Sequence, residues 1–219
     1  MHDLIKSYKE IINSIELRLK DQNITKNPKV IAVSKTFKLE KILPLIDYGH
    51  LDYGENKVQE ALEKWSDIKL IKKDLKLHLI GKLQTNKVKQ ALKIFDYIHS
   101  VDSEKLAKKI ADEEIKQGKK IKIFIQVNIG NEVQKSGIHK NQISDFYKFC
   151  IKLKLNIVGL MCIPPFGENS KKYFKEMNII NKSLNLNELS MGMSSDYLLA
   201  VDNFATYLRI GSNIFGNRN

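Results

Sequence analysis

One lysine stands where an amine could become reactive. Val30-Ile31-Ala32-Val33 is a short β-branched apolar run with the pattern of a buried strand, and Ser34-Lys35 closes it. An ammonium walled in by apolar groups loses hydration, its pKa falls, and the neutral amine can condense with an aldehyde to a Schiff base. A lysine-rich chain also ends some strands in lysine by chance, so position alone leaves a plain surface role open. Two later segments supply a different chemistry. Ser190-Met191-Gly192-Met193-Ser194-Ser195-Asp196 is a small, flexible run in which Ser194 or Ser195 is expected to cap a following helix. Arg209-Ile210-Gly211-Ser212 again sets a glycine and a hydroxyl before a short terminal helix. Uncovered backbone N–H groups at such helix starts take anions, although either segment by itself is equally read as a turn. Asn56 and Asn128 are candidates for hydrogen bonds to a ring substituent, or simply turn formers. His78 is expected to make a structural hydrogen bond, and Met161 and Met193 to be core or pocket wall.

These residues need a frame that brings them together. After a helix over residues 2–21, strand patterns fall at Lys29–Ser34, Leu51–Gly54, Leu77–Ile80, Tyr97–Ser100, Ile121–Asn128, Leu155–Met161, Glu188–Met191 and Thr206–Ile210. Helical patterns alternate with them at Leu39–Tyr48, Asn56–Trp65, Ser103–Gln117, Asn141–Leu153 and Ser170–Leu184, with Gly49 and Gly118 as stops. That rhythm is βα, and periodicity alone does not separate a closed barrel from an open doubly wound sheet. The strand count favours an α/β fold in the form of a single TIM-type (β/α)8 barrel with an extra N-terminal helix, over residues 1–219 as one domain. In such a barrel the C-terminal strand ends carry function. The loops after the seventh and eighth strands usually bind phosphate, so the Ser194 and Gly211 segments are expected to converge.

Composition narrows the class. The 219 residues are 42% hydrophobic, enough for one well-cored domain, and no run approaches the roughly 20 apolar residues of a membrane span. A cytoplasmic protein is expected. The two cysteines, Cys150 and Cys162, have no metal-ligand or redox spacing, so neither zinc nor a disulfide is expected. The net charge of +12 comes mostly from lysine interspersed with Glu and Asp, which reads as a solvated basic surface rather than a nucleic-acid stripe. A positive field of that kind favours capture of a small dianion.

Seven blocks together carry a family resemblance. They are Ala32-Val33-Ser34-Lys35-Thr36, Gly54 to Glu60, His78 to Lys87, Lys135-Ser136-Gly137, Gly159-Leu160-Met161, Leu189 to Asp196, and Arg209-Ile210-Gly211-Ser212 with Ile214-Phe215-Gly216. In this order, over nearly the whole chain, they resemble the pyridoxal phosphate homeostasis protein family, whose members are similar to the N-terminal barrel of alanine racemase. The resemblance implies that pyridoxal 5′-phosphate (PLP) is held as an aldimine on Lys35. It further implies that Ser194, Gly211 and Ser212 grip its phosphate, that Asn56 lies beside the ring and that Arg209 lies near the pyridine nitrogen. Phe37, Lys82, Ser195 and Asn213 depart from the family's usual residues, which bears on the shape of the pocket mouth.

The same resemblance implies a PLP carrier that buffers or delivers the cofactor in vitamin B6 and amino-acid balance, with apo forms of PLP-dependent enzymes as partners. Racemases of this barrel type take a catalytic tyrosine from a further domain, and no second domain is expected here. No robust catalysis, no catalytic residues and a monomer are the corresponding expectations. The alternative is a weak PLP-dependent amino-acid racemase or lyase. Lys38, Lys87 and Lys135, adjacent to the motifs, are candidate secondary acceptors of the cofactor.

Overall fold

The computed structural model describes residues 3–216. Helix α1 (Asp3–Asp21) precedes the first strand, β1 (Lys29–Val33). The chain continues through α2 (Leu39–Asp47), β2 (Asp52–Glu55), α3 (Val58–Ile71), β3 (Lys76–Leu79), α4 (Val88–Ile94), β4 (Tyr97–Val101) and α5 (Glu104–Gln117). Then come β5 (Lys122–Asn128), β6 (Ile138–His139), α6 (Ile143–Lys152), β7 (Asn156–Cys162) and α7 (Ser170–Ser183). The last elements are β8 (Glu188–Met193), α8 (Tyr197–Val201), β9 (Tyr207–Ile210) and α9 (Ser212–Phe215).

All pairings are parallel, and the strands run β1-β2-β3-β4-β5-β7-β8-β9 around a closed ring whose last member pairs with its first. The fold is thus the expected TIM-type barrel with an added N-terminal helix. The two-residue β6 is an extra, pairing with the end of β5 at Val127↔Ile138. Closure matters for the site. The register Ile31↔Arg209 and Ala32↔Ile210 sets the strand that leads to Lys35 directly beside the one that carries Arg209.

Strand residues alternate between two cores, as a period of two requires. Inside the ring, Ile31, Tyr97, Phe124, Met161 and Tyr207 pack together. Between ring and helices lies a larger cluster that includes Val30, Ala32, Leu77, Leu79, Trp65 and Phe174. Helix α1 buries Leu4, Ile5, Ile11, Ile15 and Leu19 along one stripe and packs against α2, α8 and α9. Arg18 on its last turn pairs with Asp202.

Most element ends moved by one or two residues from the pattern, as end effects usually do, but the helix expected to stop at Trp65 runs on to Ile71. α3 starts at Val58, not Asn56, which leaves Asn56 in the loop at the barrel mouth. α4, not among the helices anticipated above, buries Val88, Ala91 and Leu92 at helical spacing. The expected capping by Ser194 or Ser195 is overturned. α8 begins at Tyr197 behind Asp196, whose carboxylate instead accepts from the Met193 N–H (2.7 Å) and the Ser170 hydroxyl (2.7 Å). That carboxylate ties the turn to α7 and leaves Ser194 outside the helix.

Cys150 and Cys162 are free and buried. Burial pushes both thiols up to about 12, with Glu104 adding to the rise at Cys150, so neither is a thiolate at neutral pH. Neither thiol is expected to react with a thiol reagent in the folded protein, while both should react on denaturation; labelling before unfolding would contradict this burial.

Candidate functional site

Lys35 lies two residues beyond the end of β1, half-buried, and both of its neighbours are clamped. On one side the Ser34 hydroxyl donates to Glu55 Oε1 (2.8 Å), the Ser34 N–H to the Gly54 carbonyl (3.0 Å), and Lys64 Nζ to the Ser34 carbonyl (3.0 Å). On the other, the Thr36 N–H donates to Glu60 Oε1 (2.6 Å), which holds Thr36 at a left-handed φ of 69°. Positive φ is costly for a branched residue, so this bond defends an unfavourable backbone.

The clamp has a charged centre. Glu55, fully buried at the end of β2, accepts at Oε1 from Ser34, from Lys64 Nζ (3.0 Å) and from Trp65 Nε1 (2.9 Å). Lys64, nearly buried, also bonds Glu60 (3.0 Å) and so joins α3 to the β1 and β2 ends. Partial burial works to raise the Glu60 carboxyl, but the Thr36 N–H and Lys64 outweigh it and hold Glu60 below its ordinary range.

Asn56 sits one residue beyond Glu55, against the end of β3. A Cβ at Gly81 would lie 2.4 Å from the Asn56 carbonyl oxygen, so only glycine permits this approach. The Gly81 carbonyl in turn accepts from the Ser100 hydroxyl at 2.7 Å.

Opposite Lys35, Ser194 Oγ accepts from the Gly211 N–H (3.4 Å) and the Asn213 N–H (3.5 Å), and Asn213 Nδ2 donates to the Ser194 carbonyl (3.0 Å). One hydroxyl oxygen therefore faces amides at the start of α9. Arg209, buried on β9, donates from Nη1 to Ser190 Oγ (2.7 Å) and from Nη2 to the Cys162 carbonyl (2.8 Å). Burial lowers its pKa, against the pull of Cys162 and Asp196, but a guanidinium keeps its proton at neutral pH. Phe37, one of the departures noted above, packs on Phe215 of α9 with centroids 5.2 Å apart, which links the Lys35 loop to the Gly211 loop.

All six residues singled out in the sequence, Lys35, Asn56, Ser194, Arg209, Gly211 and Ser212, line one cavity of about 930 Å³ at the C-terminal mouth of the barrel. Met193 is also part of its wall, whereas Met161 belongs to the inner core. Asn128 is not in the lining. Its side chain donates to the Glu132 carbonyl (2.8 Å) and accepts from the Glu132 N–H (3.0 Å), the turn-forming alternative. His78 is buried in the ring, bonded to His99 and Asp52. The second lysine of the lining is Lys82 rather than Lys38, Lys87 or Lys135; Lys135 is held by Glu132 and the Pro164 carbonyl (3.2 Å). Glu55, Lys64 and Glu60, which fix Lys35, lie in the quoted blocks or just beyond them. Only the register that packs α3 over the ends of β1 and β2 shows their role.

Among the described residues no group of three His, Cys, Asp or Glu side chains gathers as metal ligands, and no helix is long and apolar enough to cross a membrane.

A family model for the alanine racemase N-terminal domain matches residues 17–219. A pyridoxal phosphate homeostasis protein of Aquifex aeolicus is 36% identical over 200 residues, covering 87% of this chain and 87% of that protein. One of the same name from Homo sapiens is 33% identical over 215 residues, covering 87% of this chain and 77% of that protein. Among solved structures, PipY of Synechococcus elongatus with PLP bound matches at a TM-score of 0.80 and 34% identity, over 92% of this chain and 100% of that one. A Clostridium difficile alanine racemase, 15% identical with a TM-score of 0.69, shares the fold over 94% of this chain and 57% of its own.

Replacing Lys64 by Met should leave the Glu55 charge buried and unpaired, a loss of about 3–5 kcal/mol. Most of it should return in the double variant Glu55→Gln/Lys64→Met, as read by urea unfolding. Because the folded-state pKa of Glu60 is lowered, its share of stability should be complete above the ordinary value of 4.5 and fade as pH falls through the lowered one. Loss of the Thr36 clamp already at neutral pH, seen in amide exchange, would contradict this.

Proposed function

This chain belongs to the alanine racemase N-terminal domain family and, within it, to the pyridoxal phosphate homeostasis proteins, and from that premise we propose that it binds PLP covalently through Lys35 and buffers or delivers the cofactor. The observation that carries the reading is a single cavity that joins an amine, a guanidinium and a rim of backbone amides with hydroxyls. Its volume of about 930 Å³ lies within the roughly 300–1,000 Å³ usual for small-molecule sites.

The donor set fits each part of PLP. Ser194, Gly211 and Ser212 offer the hydroxyls and amides that a phosphate accepts from, and the loops after the last two strands are where such barrels bind phosphate. Lys35 is the anchor for the aldehyde, its backbone held on both sides through Ser34 and Thr36. Asn56 is assigned to the edge of the ring and Arg209 to its nitrogen. When bound, PLP supplies an electron sink for amino-acid chemistry.

Arg209 limits that sink. A guanidinium donates and does not release its proton, so a ring nitrogen facing it stays unprotonated and draws electrons weakly. Besides Lys35, the described lining offers amides, hydroxyls, one further ammonium from Lys82 and this guanidinium. Holding a cofactor suits that inventory better than two-base proton transfer. Release then requires the covalent link to reverse at the mouth, where Lys82 is a second amine in the lining; PLP and the apo-enzymes that would receive it are the partners of this role.

The test is the absorbance spectrum of the PLP-loaded protein before and after borohydride, followed by mass analysis of the peptide that contains Lys35. A phosphopyridoxyl adduct on Lys35 is expected, together with its disappearance in Lys35→Ala. Ser194→Ala should weaken PLP binding about tenfold, the equivalent of one hydrogen bond to a charged group. An adduct on another lysine overturns the assignment, and Cα isotope exchange abolished by Lys35→Ala, in a panel of amino acids, overturns the carrier role.

A further inference from the structure

Behind Arg209 the barrel interior holds a chain of hydrogen bonds that crosses five strands. Arg209 Nη1 donates to Ser190 Oγ at 2.7 Å, and Ser190 Oγ lies 2.8 Å from His99 Nδ1. His99 Nε2 is 3.0 Å from His78 Nδ1, and His78 Nε2 is 2.9 Å from Asp52 Oδ1. Ser190, His99 and His78 are all 0% exposed. Asp52 lies at the other end of the barrel, where a small cleft is lined by Tyr8, Lys29 and His50.

The two ends of this chain have fixed roles: a guanidinium only donates and an ionised carboxylate only accepts. With both rings neutral, one assignment satisfies every link between them. His78 carries its proton on Nε2, facing Asp52, so its Nδ1 must accept. His99 then donates from Nε2 and accepts at Nδ1. The Ser190 hydroxyl gives its proton to His99, and its oxygen is left to accept from Arg209. Both imidazoles are neutral in this arrangement; an extra proton on His78 would set its Nδ1–H against the His99 Nε2–H, and one on His99 would point its Nδ1–H at Ser190 Oγ and take away the acceptor of the Ser190 proton. Burial disfavours the charged form of both rings, and for His99 the neighbouring His78 and Arg209 add to it. Asp52, which burial would raise, is held below its ordinary range by its bond to His78.

The rings have little freedom to turn. His78 stacks on Tyr97 (4.3 Å, 15° between planes) and His99 on Phe124 (4.3 Å, 19°). Every donor in the chain therefore points away from the cavity, towards Asp52.

We propose that Asp52, His78, His99 and Ser190 are positioning residues, a polarised chain that locks the buried guanidinium of Arg209 as a hydrogen-bond donor at the cavity and thereby sets the electronic state of the bound cofactor. The last clause rests on the PLP reading above; the locking of Arg209 does not. With the Ser190 proton committed to His99, Ser190 Oγ can only accept towards Arg209, and turning Nη1 elsewhere would leave that buried oxygen without its donor.

The test has two arms. In cofactor-free protein, side-chain nitrogen NMR should find His78 and His99 neutral at pH 7, both protonated on Nε2, with the Arg209 N–H protons slow to exchange. In His99→Phe, which keeps a flat ring against Phe124 but removes both bonds, and in Ser190→Ala, that exchange should accelerate about tenfold. His99→Gln, which presents a donor and an acceptor across one carbon as the imidazole does, should restore it. In PLP-loaded protein the same two disruptive variants should shift the cofactor absorption band and speed its release about tenfold, and His99→Gln should return both to the wild-type values. A charged or Nδ1-protonated ring in the wild type overturns the chain even if no variant folds. A folded His99→Phe with wild-type Arg209 exchange and spectrum overturns the positioning role. If the wild type takes up no PLP on Lys35, the cofactor reading fails while the first arm still decides the chain.

Discussion

A carboxylate with no access to water fixes the geometry of the barrel mouth. Glu55 Oε1 gathers a hydroxyl, an ammonium and an indole N–H from β1 and α3, while its Oε2 has no hydrogen-bond partner among the described residues. A buried charge of this kind is tolerated only with its partners in place, so it enforces one arrangement of the backbone around Lys35 more strictly than apolar packing could. The amine inherits its address from that arrangement. Asn56, next in sequence to Glu55, is held by the same strand end and by the close approach of Gly81.

The opposite wall is organised by a hydroxyl and a guanidinium. Ser194 gathers amides of the last loop, and Arg209 ties β9 to β8 and to the end of β7. Two polar systems thus flank the cavity, one fixing the backbone around Lys35 and the other tying together the donors of the last two strand ends. Between them the packed ring of Tyr97, Phe124, Met161 and Tyr207 separates the mouth from the floor, and the Asp52-to-Arg209 chain threads through it.

Much of this was legible in the sequence because barrel chemistry sits at strand ends. The β-branched run before Lys35 and the Gly-Ser segment after Arg209 mark themselves by composition, and Asn56, Ser194, Gly211 and Ser212 follow from the blocks around them. Lys64 was not legible: one lysine among many on a helix acquires its role only when α3 packs over two strand ends. His78 was readable as structural, yet not its partners, since Asp52, His99 and Ser190 meet through the shear of the ring and not through spacing along the chain. The cap assignment at Ser194 failed because Asp196, three residues beyond Met193, bonds the Met193 N–H and delays the helix. Local propensity could not weigh that bond against a serine cap.

The pairing of β1 with β9 has a consequence for biosynthesis. Lys35 leaves a ribosome long before Arg209 does, so the pocket cannot exist until the polypeptide through β9 has emerged. Until then Lys35 has neither Arg209 nor the Gly211 loop beside its strand. Cofactor loading through the proposed Lys35 link accordingly waits for that strand, and a truncated product that lacks β9 keeps the lysine without the wall that faces it.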